Sequence, residues 1–112
     1  MPTPAYLGEF EQLLLLAVVR LGDGAYGLDI ARELEARAGR MVSRGALYTS
    51  LDRLEDKGLV RWKAAEGTPA RNGLPRRLYV VTPAGMAALR ASRETLRRMW
   101  QGLDRLFKEP TS

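Results

Sequence analysis

The apolar positions along this chain change period twice, and each change marks a new kind of element. From Leu7 to Leu21, residues Phe10, Leu13, Leu14, Ala17, Val18 and Leu21 recur at three- and four-residue spacing, the period of a helix. Leu15, Leu16 and Val19 carry the apolar surface almost all the way round, the pattern of a helix buried on two sides. One side suits the domain core, the other a subunit interface. Gly22-Asp23-Gly24 ends the segment. A second helix is predicted from Tyr26 to Ala38, with Ile30, Ala31, Leu34 and Ala38 inward, Arg32, Glu33, Glu35 and Arg37 outward, and Gly39 as its stop. After the link Arg40-Met41-Val42 a third runs from Ser43 to Gly58. Ser43 is an N-cap residue, Leu47, Leu51 and Leu54 make one apolar stripe, and Gly58 suits a left-handed stop. Residues 1–5 read as a frayed tail.

The period then drops to two. Leu59-Val60-Arg61-Trp62-Lys63-Ala64 alternates, and Arg77-Leu78-Tyr79-Val80-Val81 is rich in β-forming residues. Glu66 to Pro75 between them is full of turn residues, so the pair reads as a hairpin wing with a basic tip. Thr82-Pro83 starts the last helix, Thr as cap and Pro at the first position. Its periodicity continues to about Lys108, which at about 1.5 Å per residue makes it roughly 39 Å long. Within it Leu89, Leu96 and Leu103 fall seven apart, as do Ser92, Met99 and Leu106, the a and d positions of a heptad seam. Such a helix either packs back on its own domain or pairs with a second copy; the heptads favour the pair. The predicted fold is mainly α with a small β-hairpin. It divides into a winged helix-turn-helix DNA-binding domain over residues 1–82 and a long C-terminal dimerisation helix over 83–112.

Composition narrows the chemistry. The chain has 112 residues, with no cysteine and no histidine, which excludes disulfides, thiolate or imidazole metal sites and catalysis by a Cys or His base. No pair of carboxylates sits in a plausible polar pocket, so the chain reads as a non-enzyme without a cofactor. The longest apolar run, Leu13 to Val19, is seven residues, whereas a membrane span needs about 20. The N-terminus carries no signal-peptide pattern, and the expected location is the cytoplasm. Lys and Arg number 18 against 13 acids, a balance that favours a polyanionic partner. The excess is concentrated: Arg61, Lys63, Arg71, Arg76 and Arg77 share the hairpin region with a single acid, Glu66.

That distribution points to double-stranded DNA. The face of the third helix opposite its leucines carries Arg44, Gly45, Tyr48, Thr49 and Asp52, and it opens on a slim, donor-rich N-terminal turn. A helix entering a groove needs such a turn, because its first residues reach base edges and phosphates. Arg44 and Thr49 are the expected base readers. Gly45 lets the helix N-terminus approach the backbone closely. Tyr48 can offer its hydroxyl to a phosphate. Ser43 either contacts DNA or serves only as the cap. Lys63, Arg71, Arg76 and Arg77 are assigned to phosphate or minor-groove contacts through the wing, with Asn72 at the tip donating to a base or a phosphate. Arg53 is expected on the flank, paired with an acid such as Glu55 or Asp56 of another turn or subunit. The acids Asp52, Glu55 and Asp56 on the same helix keep a second reading open, a winged-helix module that grips an acidic protein.

Three segments together resemble the PadR-like transcriptional regulators. They are Tyr26-Gly27-Leu28-Asp29-Ile30, the run from Ser43 through Gly45, Leu47, Tyr48, Leu51, Leu54 and Gly58 to Leu59, and the run Gly73, Arg76, Arg77, Tyr79, Thr82 and Gly85. The resemblance spans residues 8 to 86. It implies a winged helix-turn-helix homodimer of the short subgroup with one C-terminal helix, usually a repressor of a pseudo-palindromic operator that a small molecule or other signal releases. The chain departs from the family's pattern at Ala25-Tyr26-Gly27, where His-Gly-Tyr is frequent, and at Leu78, which stands where many members carry a tyrosine. Leu89, Leu96, Met99, Leu103 and Leu106 are then the expected dimer interface. Some members of the short subgroup resemble sensors of flat aromatic molecules, so Met99 and Trp100 either line an aromatic effector site or simply pack in the interface.

Overall fold

The computed structural model describes residues 7–65 and 76–107. The expected tail at residues 1–5, the hairpin tip with Arg71 and Asn72, and Lys108 lie outside the described residues. Helices α1 (Glu9–Leu21), α2 (Gly27–Ala38) and α3 (Arg44–Asp56) are followed by strands β1 (Val60–Ala64) and β2 (Arg77–Val81), then by α4 (Pro83–Trp100) and a one-turn α5 (Asp104–Phe107). A short 3₁₀ turn, Gly22–Gly24, links α1 to α2. The strands pair antiparallel with Val60 opposite Val81 and Trp62 opposite Tyr79.

The apolar stripes meet in one core. Leu14, Leu15 and Val18 of α1 pack with Ile30 and Leu34 of α2, Leu47, Leu51 and Leu54 of α3, and Val60 and Tyr79 of the hairpin. α1 is buried on one side only, since Leu16 and Val19 remain 45% and 42% exposed. Its remaining apolar face is the one the sequence offers to a subunit interface.

The caps place the boundaries. The Ser43 hydroxyl accepts a hydrogen bond from the Ala46 amide at 3.1 Å. At the far end of α3, Gly58 adopts φ 75°, its N–H donates to the Glu55 carbonyl, and the Leu59 N–H donates to the Leu54 carbonyl. This is the left-handed closure that a Cβ would strain. The Thr82 hydroxyl does two jobs. It accepts from the Gly85 amide at 3.1 Å and donates to the Gly58 carbonyl at 2.6 Å.

Charges join the start of α1 to the helix-turn-helix. Glu9 pairs with Arg40, and Glu11 accepts from the Lys57 ammonium at 2.6 Å and from the Gly8 amide at 3.0 Å. Partial burial pushes the Glu11 carboxyl up, but Lys57, the Gly8 amide and nearby Arg53 outweigh it and hold the group below its ordinary value. Among the described residues Arg53 forms no ion pair with Glu55 or Asp56 of its own chain, and its field falls on Glu11.

The C-terminal helix differs from the sequence expectation. α4 stops at Trp100 rather than running to Lys108. Gln101 leaves the helical region with ψ 127°, and Gly102 takes φ 82°. The chain turns there, and the Trp100 and Phe107 rings meet edge to face with centroids 4.9 Å apart. Leu89, Leu96 and Leu103 therefore do not lie on one continuous helix. Leu89 also belongs to the domain's own core at 9% exposure, while Leu96, Met99, Leu103 and Leu106 are 50%, 71%, 40% and 76% exposed.

Candidate nucleic-acid interface

The outer face of α3 is set by its inner one. With Leu47, Leu51 and Leu54 locked inward, the helical period leaves Arg44, Gly45, Thr49 and Asp52 exposed. Among the described residues Arg44 has no ion-pair partner. A Cβ at Gly45 would meet nothing within 4 Å, so packing does not require a glycine there. Its effect is to leave the helix N-terminus bare. Ser43 is committed to its cap through its oxygen.

Tyr48 points elsewhere. It is half-buried, and its hydroxyl lies against Gly27, where a Cβ would come within 2.2 Å of that oxygen. Only glycine fits at Gly27 without moving the ring, so the first turn of α2 and α3 are fitted to each other through this contact. A phenol oxygen beside a helix N-terminus still sits where backbone amides favour an anion.

The wing is braced against both helices. Arg76 stacks over the Tyr26 ring, 3.9 Å from its centroid, with Nη2 3.9 Å from Asp29 of α2. Arg77 stacks over Trp62 of β1 at 4.2 Å, and its Nη1 lies 3.5 Å from Asp52 of α3. Both arginines keep exposed edges, with 41% and 38% of the side-chain surface accessible. Surface pairs of this length contribute little and exchange readily. Lys63 and Arg61 on β1 are exposed and unpaired among the described residues. Beneath Arg77, Tyr79 is buried, and its hydroxyl has no hydrogen-bond partner among the described residues. Burial pushes that phenol up, and the nearby Arg77 cation pulls against the shift.

Of the residues the sequence singles out, Arg44, Gly45, Thr49, Lys63, Arg76 and Arg77 fall on the α3 turn or the wing and are exposed or half-buried. Tyr48 and Ser43 adjoin that surface with their oxygens engaged by the fold. Asp52, Asp29 and Tyr26 enter as partners of the wing arginines, which sequence spacing does not reveal. Gly27 and Gly85 stand in the motifs for steric reasons. A Cβ at Gly85 would lie 2.1 Å from the Leu59 carbonyl oxygen. The only signal in the sequence was a glycine inside a helix, where it costs stability unless packing demands it.

Two helices joined by a short link, then a two-stranded wing beside the second helix, define a winged helix-turn-helix protein. The sequence profile described as the transcriptional regulator PadR-like family matches residues 15–91, and the chain belongs to that family. Its members are transcription regulators, not enzymes. Transcriptional regulator Rv3488 of Mycobacterium tuberculosis is 39% identical over 74 residues, covering 66% of this chain. The chain spans 64% of the length of that curated relative. A PadR-like transcription factor from Bacteroides fragilis superposes with a TM-score of 0.67 at 26% identity, covering 87% of this chain and 88% of that one. F93 from STIV, a winged-helix DNA-binding protein, gives a TM-score of 0.67 at 19% identity over 90% of this chain and 93% of that one, a likeness of fold alone. No helix among the described residues is long and apolar enough to cross a membrane.

Proposed function

We propose that the chain works in the cytoplasm as a homodimeric repressor, binding a pseudo-palindromic operator in double-stranded DNA and released by a small aromatic effector. The observation that carries the DNA reading is the N-terminal turn of α3, where Arg44, with no ion-pair partner among the described residues, and a bare Gly45 stand exposed above a buried leucine stripe. Arg44 and Thr49 read base edges. Lys63, Arg76 and Arg77, with Arg71 and Asn72 of the tip, hold phosphates. Tyr48 and Ser43 sit at the edge of this surface and position its helix ends.

Exposed Leu96, Met99, Leu103 and Leu106 support a subunit interface around the outer part of α4, with Leu16 and Val19 of α1 as a second apolar strip. Leu89 contributes from inside, as the point where the interface joins the core. Met99 and Trp100 are the effector candidates. Trp100 is 45% exposed and offers a polarisable ring beside Phe107.

Fluorescence anisotropy on DNA from upstream of the protein's own gene tests the reading. Arg76→Ala is expected to weaken binding to all sequences and flatten the log-salt slope by about one unit. Arg44→Ala is expected to change which sequences are preferred. Failure of the native protein to bind any duplex in dilute buffer would leave the protein-interaction module, for which the exposed acids Asp52, Glu55 and Asp56 on α3 are the supporting feature. Quenching of Trp100 by planar cationic dyes, in a Trp62→Phe background, tests the effector site.

A further inference from the structure

Asp52 is an odd residue to find on a helix that approaches DNA. It lies three residues beyond Thr49, on the same exposed ridge as Gly45 and Thr49. A bare carboxylate there repels phosphates. In this structure it is not bare: Arg77 of the wing reaches across to it, with Nη1 3.5 Å from the carboxylate oxygen. The same guanidinium lies flat on Trp62, 4.2 Å from the ring centroid. The stack on the indole leaves Nη1 within reach of Asp52, while the Tyr79 hydroxyl on the same strand also favours the charged guanidinium. Asp52 and Arg77 are still 58% and 38% exposed, so solvent and other anions reach the pair.

We infer that Asp52 is a specificity-determining residue that acts by withholding Arg77 from DNA until a correct site supplies a substitute partner. This rests on the DNA-binding reading above. On a duplex, a phosphate can take Arg77 only if Asp52 releases it. The released carboxylate then lies on the groove side of α3 with no cation of its own. Among the described residues, no other ion pair involves Asp52. A base edge with an amino donor, the N4 of cytosine in the major groove, satisfies the carboxylate. At such a site both groups exchange one partner for another. At any other site, either Arg77 stays on Asp52 and the phosphate contact is lost, or the carboxylate is left unpaired beside polyanion. The penalty therefore falls on wrong sequences.

Arg76 provides the contrast within the same strand. Its acidic partner, Asp29, belongs to α2 and not to the recognition helix. Its exchange carries no penalty on a base-reading surface, so it should contribute to all sequences alike.

Affinities across a salt series separate these effects. The probes are a mixed-sequence duplex and duplexes that the native protein selects from a randomised pool. The proteins are the native chain, Asp52→Asn, Asp52→Glu, Arg77→Ala and the double variant Asp52→Asn with Arg77→Ala. Asp52→Asn is expected to tighten mixed-sequence binding about three- to fivefold and to steepen its log-salt slope by about one unit, because Arg77 becomes available to phosphate. The gain on selected duplexes is expected to be smaller, so the ratio between the two falls. Asp52→Glu keeps the charge and should stay near the native ratio. In the Arg77→Ala background the Asp52→Asn exchange should leave the slope unchanged. The inference is overturned if Asp52→Asn leaves mixed-sequence binding unchanged or weakens it, or if it steepens the slope equally without Arg77. A native chain that binds no duplex at low salt defeats the DNA-binding reading itself, a result visible before any variant is made.

Discussion

The two halves of α4 both carry apolar residues at helical spacing and have opposite surroundings. In the first half, Gly85, Ala88 and Leu89 are buried against the domain. In the second half every residue from Arg93 to Trp100 is exposed, Leu96, Met99 and Trp100 among them. Both halves follow the helical period, so amphipathic patterning alone does not say what an apolar stripe is for. The inner half is fixed by its own fold, through the Thr82 cap and the close approach to Leu59. The outer half carries apolar surface that its own domain does not cover, which is what a second copy would cover.

The strongest way to break this contrast is at Gly85. A Cβ there would sit 2.1 Å from the Leu59 carbonyl oxygen and 2.6 Å from the Val81 Cγ1 methyl, and the Leu59 backbone cannot move freely because its carbonyl accepts from the Thr82 amide. Gly85→Ala is expected to destabilise by about 3 kcal/mol in urea unfolding, although the exchange in an open helix would gain about 1 kcal/mol. An unchanged midpoint would mean that α4 does not rest on Leu59. A finer comparison uses two leucines on the same helix, seven residues apart. Leu89→Ala should cost about 2–3 kcal/mol. Leu96→Ala should change the unfolding of dilute protein by less than about 0.5 kcal/mol and instead weaken self-association in sedimentation equilibrium. Equal costs in dilute protein would erase the distinction between the halves.

The smallest expected effect concerns the tie between α1 and α3. The Glu11 carboxyl is held below its ordinary value of 4.5. A carboxylate with a depressed folded-state pKa contributes stability above its unfolded value and loses it as pH falls through the folded one. Glu11→Gln should therefore lower stability slightly at neutral pH and flatten the loss that the native chain suffers as pH drops below 4.5. Parallel acid limbs in pH-dependent melts would show that Lys57 does not hold Glu11 in solution.

What was legible in the sequence was local. Ser43, Gly39, Gly58 and Thr82-Pro83 announce helix ends through caps that act within a few residues, and the structure stops α2 and α3 and starts α3 and α4 at those signals or within two residues of them. The hairpin registers as alternation, and its strands fall within one residue of expectation. The misreading at Gln101 has a physical reason. The heptad of leucines continues past Gly102, so periodicity outweighed a single glycine that in the fold takes a left-handed φ. The wing arginines show the other limit. Their basic character was plain, but their partners Tyr26, Asp29 and Asp52 lie far away in the chain and are brought near only by tertiary packing. The Gly27 and Tyr48 fit is of the same kind: each residue is in a recognisable motif, and the contact between them belongs to neither.

The Thr82 hydroxyl spans the joint between the recognition helix and α4, with one hydrogen bond to each side. Only the tight turn of Lys57 and Gly58 separates that contact from the end of α3. If two copies join along their outer α4 segments, the inclination of those helices works like the arms of a pair of callipers, and a small change in their splay alters the gap between the two DNA-facing tips.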